Sequence, residues 1–330
     1  MKILKSHLSS ALTALTLALA SPYVHAAGFQ HGYAADPIGK PLEVGIWYPS
    51  KATARPMSVG PTTMSVALNG PIDGSGLPLV VISHGTGSSF LGHFDTAIAL
   101  ADAGYVVVAV THTGDNYADQ SRSMDIMDRS RQISRVIDHM LTTWDNHVAI
   151  DSARIGMFGF SAGGFTALVS IGGVADASKI GPMCSEHPGD FACKLIAKSG
   201  QAAAVLPFSS LVSDLRIKAA VVAAPALGFT FSPDGLKNVK VPVQLWRAED
   251  DVILPQPRYA EAVRLALPQA PDYHVVHKAG HFDFLAPCSD ALATLAPVIC
   301  QSDPAFDRVA FHKTFDAATV DFFNQTLKSQ

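Results

Sequence analysis

The chain has 330 residues, 48% of them hydrophobic and 16% charged, and carries a formal net charge of −4. That apolar share is ample for a packed core. With so little charge and no basic block, neither nucleic acid nor an anionic membrane surface is expected as a partner. The length suits one large α/β domain.

Lys2 and Lys5 precede an apolar stretch from Leu8 to Ala20, which is followed by Pro22 and the small-residue pattern Val24-His25-Ala26. This is the layout of a secretory signal peptide over residues 1–26, cut after Ala26. Its apolar part is too short to span a bilayer comfortably, and no later run is longer, so the mature chain, 27–330, should carry no transmembrane segment. No cysteine lies beside the cut to take a lipid. The expectation is a secreted or periplasmic protein. Four cysteines, Cys184, Cys193, Cys288 and Cys300, then point to disulfides. No C-x-x-C or close Cys/His spacing supports a metal site, and no cofactor is expected. Three connectivities are open. The local pairs Cys184–Cys193 and Cys288–Cys300 close the shortest loops.

Residues 42–48 alternate up to Pro49 and read as an early strand, while 50–76 reads as a surface loop or hairpin. The run Leu79-Val80-Val81-Ile82-Ser83 is continuous and β-branched, as in a strand buried on both faces of a parallel sheet. It ends in His84-Gly85-Thr86-Gly87. A helix near 93–103, closed by Gly104, leads to a second buried strand over 105–110. Residues 123–148 place Ile133, Val136, Ile137, Met140, Leu141, Trp144 and Val148 on one helical face. A short strand over 155–160 comes next, followed by a helix carrying Phe165, Leu168 and Val169. Residues 174–218 break this rhythm and read as a small insertion. Strands resume over 219–224 and 241–246. A helix near 258–267, a last strand over 273–276 and a closing helical segment over 305–327 complete the chain. The repeated strand–helix–strand order implies a doubly wound, mostly parallel sheet.

The junction of the strand over 155–160 with its helix carries Gly159-Phe160-Ser161-Ala162-Gly163, the G-x-S-x-G pattern of a nucleophile elbow. Glycines flank the serine because the turn is too tight for side chains there. A glycine-rich turn without catalytic value would share the spacing, so the pattern acquires meaning only from its partners. A serine hydroxyl needs a base to take its proton, and the base needs an orienting acid. On such sheets the chain order is serine, acid, histidine. The loop after the strand ending at Trp246 offers Glu249, Asp250 and Asp251. His281, behind Gly280 and just after the last strand, is the base; Gly280 is expected to give the backbone freedom to aim its ring. For the oxyanion, the backbone N–H groups of Ala162 and of Thr86 are the candidate donors.

These residues resemble those of the α/β-hydrolases over nearly the whole mature length. More narrowly, Ser83-His84-Gly85-Thr86-Gly87, Gly159-Phe160-Ser161-Ala162-Gly163-Gly164, Arg216-Ile217-Lys218-Ala219, the Asp250/Asp251 loop and Gly280-His281-Phe282 resemble exported dienelactone-hydrolase-like and platelet-activating-factor-acetylhydrolase-like serine esterases. The resemblance implies an α/β-hydrolase fold with a small cap insertion. It also implies a triad of Ser161, Asp251 and His281, with Thr86 and Ala162 amides as oxyanion hole. Asp251 is preferred to Asp250 because related enzymes commonly carry an aspartate followed by two apolar residues and a proline four positions later. The chain departs from the family in two places: Phe160 stands where many relatives have histidine, and dienelactone hydrolases proper use a cysteine nucleophile. The implied activity is hydrolysis of small to medium carboxylic esters. The alternatives are a lipase, polyesterase or acylated-lipid hydrolase and, from another class, a non-catalytic hydrolase-fold binding protein. The oligomeric state is left open.

Overall fold

The computed structural model describes residues 26–199 and 212–328. In chain order the strands are β1 (Ala26–Ala34), β2 (Leu42–Ser50), β3 (Arg55–Val59), β4 (Thr62–Leu68), β5 (Leu77–Ser83), β6 (Val106–Thr111), β7 (Ile150–Phe160), β8 (Ile217–Ala223), β9 (Val243–Ala248) and β10 (Asp272–Val276). The helices are α1 (Phe94–Asp102), α2 (Asp128–Thr142), α3 (Ala162–Ser170), α4 (Ile180–Glu186), α5 (Phe191–Ser199), α6 (Pro233–Leu236), α7 (Ala260–Ala266), α8 (Asp290–Leu295), α9 (Pro297–Cys300) and α10 (Arg308–Phe323). They build one sheet in the order β10-β9-β8-β7-β5-β6-β2-β1-β4-β3. From β6 to β10 every neighbouring pair is parallel, whereas β2 joins antiparallel to both β6 and β1.

The Val- and Ile-rich runs of β5 and β6 are buried on both faces, as their continuous apolar sequence requires. Two cores fill the two sides of the sheet. One packs α2, α3 and α7 against it through residues such as Ile133, Val136 and Leu168. The other packs α1 and α10 through Ala97, Leu100, Phe315 and Phe323. Because β5, β7, β9 and β10 run in parallel, their carboxyl ends share one edge. Every loop expected to carry chemistry leaves from that edge, the usual ligand side of an open α/β sheet.

The layout follows the expectation, with differences in detail: β7, expected over 155–160, starts at Ile150. β1 was not anticipated, because Ala-Ala-Gly-Phe-Gln-His-Gly-Tyr-Ala has little β-branched content. It forms through pairing with β2 along its whole length, so tertiary context overrides weak propensity. Of the two readings of 50–76, loop or hairpin, the structure takes the hairpin, formed by β3 and β4; the pairing of β4 with β1 was not anticipated. β9 continues two residues past Trp246 to Ala248, so the acid loop opens at Glu249. Only 128–142 of the helical span over 123–148 is α-helix.

The leader expected over 1–26 lies outside the described residues except for Ala26, which opens β1. Of the insertion over 174–218, residues 200–211 also lie outside them, and its last two residues already belong to β8. Both local disulfides are present, Cys184–Cys193 and Cys288–Cys300. Among the described residues no helix is long and apolar enough to cross a membrane.

Candidate active site

Ser161 sits between β7 and α3 with φ +56° and ψ −117°, a conformation a side-chain-bearing residue adopts only under strain. The surroundings impose it. Its N–H donates to the Ala223 carbonyl at 2.9 Å, and its own carbonyl accepts from Ala226 and Phe165 at 2.9 and 3.1 Å. The flanking glycines are sterically required: a Cβ on Gly159 would run into the Gly163 carbonyl, and one on Gly163 into the Ser83 carbonyl. The pattern read from the sequence is therefore a packing necessity that lets α3 start beside the end of β5.

His281 reaches this serine from the loop after β10. Its Nε2 lies 3.0 Å from Ser161 Oγ, and its Nδ1 lies 2.8 Å from Asp251 Oδ2. A carboxylate only accepts, so Nδ1 carries the proton and Nε2 is free to accept from the serine hydroxyl. All three residues are buried. Asp251 is held in turn, its other oxygen accepting from the Ile253 and Leu254 amides at 3.0 and 2.7 Å. The three neighbouring carboxylates thus separate. Asp250 is exposed and donates its backbone N–H to Ala279 O at 3.0 Å, with no side-chain hydrogen bond among the described residues. Glu249 takes His277 Nδ1 and the Lys278 amide at the surface.

Gly280 is not what aims the histidine. Its φ of −91° and ψ of 177° are open to any residue, and a Cβ there would meet nothing closer than 3.7 Å. The ring nitrogens face Asp251 and Ser161, while the backbone beside the ring is held by Asp283, whose Oδ2 accepts the Gly280 N–H at 2.7 Å. Asp283 is anchored to α10 through Arg308 Nε at 3.0 Å, and its carbonyl lies 2.9 Å from His312 Nε2. The Phe160 ring packs against the His281 ring at 4.8 Å, centroid to centroid.

Ala162 N–H opens α3, where the helix dipole favours negative charge. Thr86 lines the cleft together with Gly85, Ser161 and His281. Among the described hydrogen bonds neither amide donates to a protein group. A Cβ on Gly85 would sit 3.1 Å from the Phe160 ring and 3.3 Å from Ser161 Cβ, which places this loop against the nucleophile.

The cleft encloses about 860 Å³. Phe90, Tyr117, Phe191, Phe282, Leu285 and Ile299 make its walls apolar, and among the described residues no lysine or arginine lines it. Phe191 comes from the insertion and Ile299 from the loop closed by Cys288–Cys300.

Behind the Thr86 loop lies a buried polar cluster that the sequence reading missed. Arg129 pairs with Asp115 (Nη2 to Oδ2, 2.6 Å) and donates to the His84 carbonyl at 2.6 Å. His84 Nε2 accepts the His112 backbone N–H at 3.0 Å, so its proton is on Nδ1, 2.6 Å from the Gly85 carbonyl. His112 lies between Ser83 Oγ and Gln132 Oε1 at 2.9 and 2.8 Å. Burial, helped by the Arg129 cation, holds both histidines well below their ordinary pKa, and they stay neutral. One signal was available: Arg129 shares the buried helix face of Ile133, Val136 and Met140. A cation at that position must find a partner.

Sheet order, elbow and cleft define the class: this is an α/β-hydrolase fold. The family model described as "Dienelactone hydrolase family" matches residues 65–181, the stretch from β4 through the elbow to the start of α4. Among curated proteins none matches the chain. Among solved structures, the ferulic acid esterase from Streptomyces cinnamoneus is similar at TM-score 0.63 with 21% identity, covering 95% of this chain and 93% of that one. The chain thus has the α/β-hydrolase fold and resembles the dienelactone hydrolases over residues 65–181.

Proposed function

We propose that the protein is a serine carboxylesterase working through Ser161, His281 and Asp251, with the Thr86 and Ala162 amides as oxyanion hole. The observation that carries this reading is the unbroken relay Asp251 Oδ2–His281–Ser161 Oγ at 2.8 and 3.0 Å. His281 Nε2 takes the hydroxyl proton as Ser161 Oγ bonds to the ester carbonyl carbon. Charge then builds on the former carbonyl oxygen, where two preorganised amides stabilise it. When the tetrahedral intermediate collapses, His281 returns the proton to the leaving alcohol. A water, deprotonated by the same histidine, attacks the acyl-serine, and its collapse frees the acid and restores Ser161. A non-catalytic binding protein would have no reason to keep both the strained serine and the relay.

The substrate is a neutral ester with a bulky apolar acid or alcohol part. Among the described residues no lysine or arginine lines this cleft of about 860 Å³ to offer a carboxylate-bearing lactone a permanent positive partner, and its Phe, Tyr and Leu walls suit an aryl or long acyl group. The ferulic acid esterase neighbour makes esters of aromatic acids the first to try; acylated lipids and polyesters are the second set. The insertion over 174–218 acts as the cap through Phe191. The two disulfides fit export of the mature domain, 27–330.

The test is Ser161→Ala together with a fluorophosphonate probe and a panel of neutral and acidic esters. Turnover and labelling should both vanish in the variant, and neutral aryl or long acyl esters should lead the panel. Near-full turnover in S161A, or preference for an anionic ester, overturns the reading.

A further inference from the structure

We propose that Arg129 and Asp115 are positioning residues that set the oxyanion donor of the Thr86 loop. The inference rests on the triad reading above and extends it to a pair that never touches the substrate. In a trans peptide the C=O of one residue and the N–H of the next point in opposite directions. The Gly85 carbonyl is drawn inward by His84 Nδ1 at 2.6 Å and by Arg129 Nη2 at 3.4 Å. The Thr86 N–H of the same peptide unit therefore points outward, to the side where Ser161 and His281 line the cleft.

The pair holds both ends of the loop. On one side Arg129 Nη1 donates to the His84 carbonyl at 2.6 Å; on the other, Asp115 Oδ1 accepts the Gly87 N–H at 2.9 Å. Asp115 Oδ2 meanwhile takes Arg129 Nε and Nη2 at 3.1 and 2.6 Å. Thr86 thus sits between two peptide units fastened to one buried ion pair. The arginine is 2% exposed and the aspartate 3%, so water does not compete for these bonds. Gly87, with φ +69°, lets the chain turn back after the donor.

The fork geometry is what the role requires. Arginine presents several donors in one plane and can hold two successive carbonyls and a carboxylate at once, which a lysine ammonium cannot do. A buried ion pair is poor value for stability alone, since well-packed apolar side chains often do as well. Holding a peptide at a fixed angle is a task apolar packing performs poorly.

The experiment measures kcat, KM, fluorophosphonate labelling rate and melting temperature on the mature full-length protein carrying Arg129→Lys, Arg129→Met or Asp115→Asn. Losing an oxyanion donor lowers kcat about 10²–10³-fold, and both Arg129 variants should approach that loss with KM little changed. Labelling should slow in parallel. In Arg129→Ala, guanidinium ion should restore part of kcat while ammonium ion does not. Asp115→Asn keeps an acceptor for the Gly87 N–H but weakens the pairing, so it should lose roughly tenfold in kcat, and it decides the matter if the Arg129 variants do not fold. Folded variants that keep kcat within about twofold, or an Arg129→Lys equal to wild type, overturn the proposal; so does a drop in melting temperature alone. Ser161→Ala in the wild-type background separates the two readings. If it is inactive and the Arg129 variants are not, only the positioning role fails; if it stays active, the triad fails.

Discussion

Replacing Asp251 by asparagine tests how the relay sets the histidine proton. In the native site Asp251 Oδ1 accepts the Ile253 and Leu254 amides at 3.0 and 2.7 Å, and Oδ2 faces His281 Nδ1 at 2.8 Å. Those two amides need an acceptor, so the asparagine carbonyl takes the Oδ1 position and its NH₂ faces His281. Two donors cannot share a hydrogen, so the ring moves its proton to Nε2 and then donates toward Ser161 where it should accept. The side chain keeps its shape, and stability should change little. The expected loss is about 10³–10⁴ in kcat, the scale seen when a triad aspartate becomes asparagine. At roughly 1.36 kcal/mol per decade this raises the barrier by about 4 to 5.5 kcal/mol. Steady-state hydrolysis of a neutral aryl ester, with thermal melts on the same samples, provides the measurement. Asp250→Asn is the control and should stay near wild type, because its carboxylate is exposed and uncommitted. If D251N keeps more than a tenth of wild-type kcat, or D250N loses as much, the tautomer argument is wrong.

Between α1 and α10, burial and the nearby Asp95 charge push the Asp316 carboxyl up to about 7. Although burial opposes it, the Asp95 hydrogen bond and charge hold His312 above its ordinary value. An aspartate that keeps its proton better when folded costs stability as pH rises from the unfolded value of 3.8 to about 7, and the raised His312 gives up its contribution in the same direction. Melting temperature should therefore fall from pH 5 to pH 8, and Asp316→Asn, whose oxygen still accepts from Thr96, should flatten that fall and melt higher at pH 8. An unchanged pH dependence would refute the assignment. Breaking the Cys288–Cys300 link by paired serine substitutions frees a 12-residue separation, worth about 3 kcal/mol of chain entropy. Since Cys288 and Ile299 line the cleft, KM for bulky esters should rise while small esters keep their kcat; a kinetic profile equal to wild type would show that this loop plays no part in binding.

What could be read along the chain was what local chemistry dictates. A strand meeting a helix at Gly159-Phe160-Ser161-Ala162-Gly163 leaves few geometries, and β5 and β6 announce burial on both faces by composition alone. His281 could be singled out because it follows the last strand, and the structure places it 3.0 Å from Ser161 Oγ. The reason offered for Gly280 was mistaken, since its conformation is an ordinary extended one and its N–H is held by Asp283, itself tied to α10. The preference for Asp251 over Asp250 came only from the resemblance; tertiary structure supplies its physical reason, because adjacent residues of a loop differ in which way they face, and only Asp251 is buried against His281. Tertiary structure alone could create β1, whose partner supplies what its own residues lack. The Arg129 cluster shows the limit most plainly. Its members stand at 84, 112, 115, 129 and 132, ordinary polar residues in sequence, and their meaning comes from desolvation: once the sheet closes over them, each buried donor must find an acceptor, and the backbone carbonyls of the Thr86 loop are within reach.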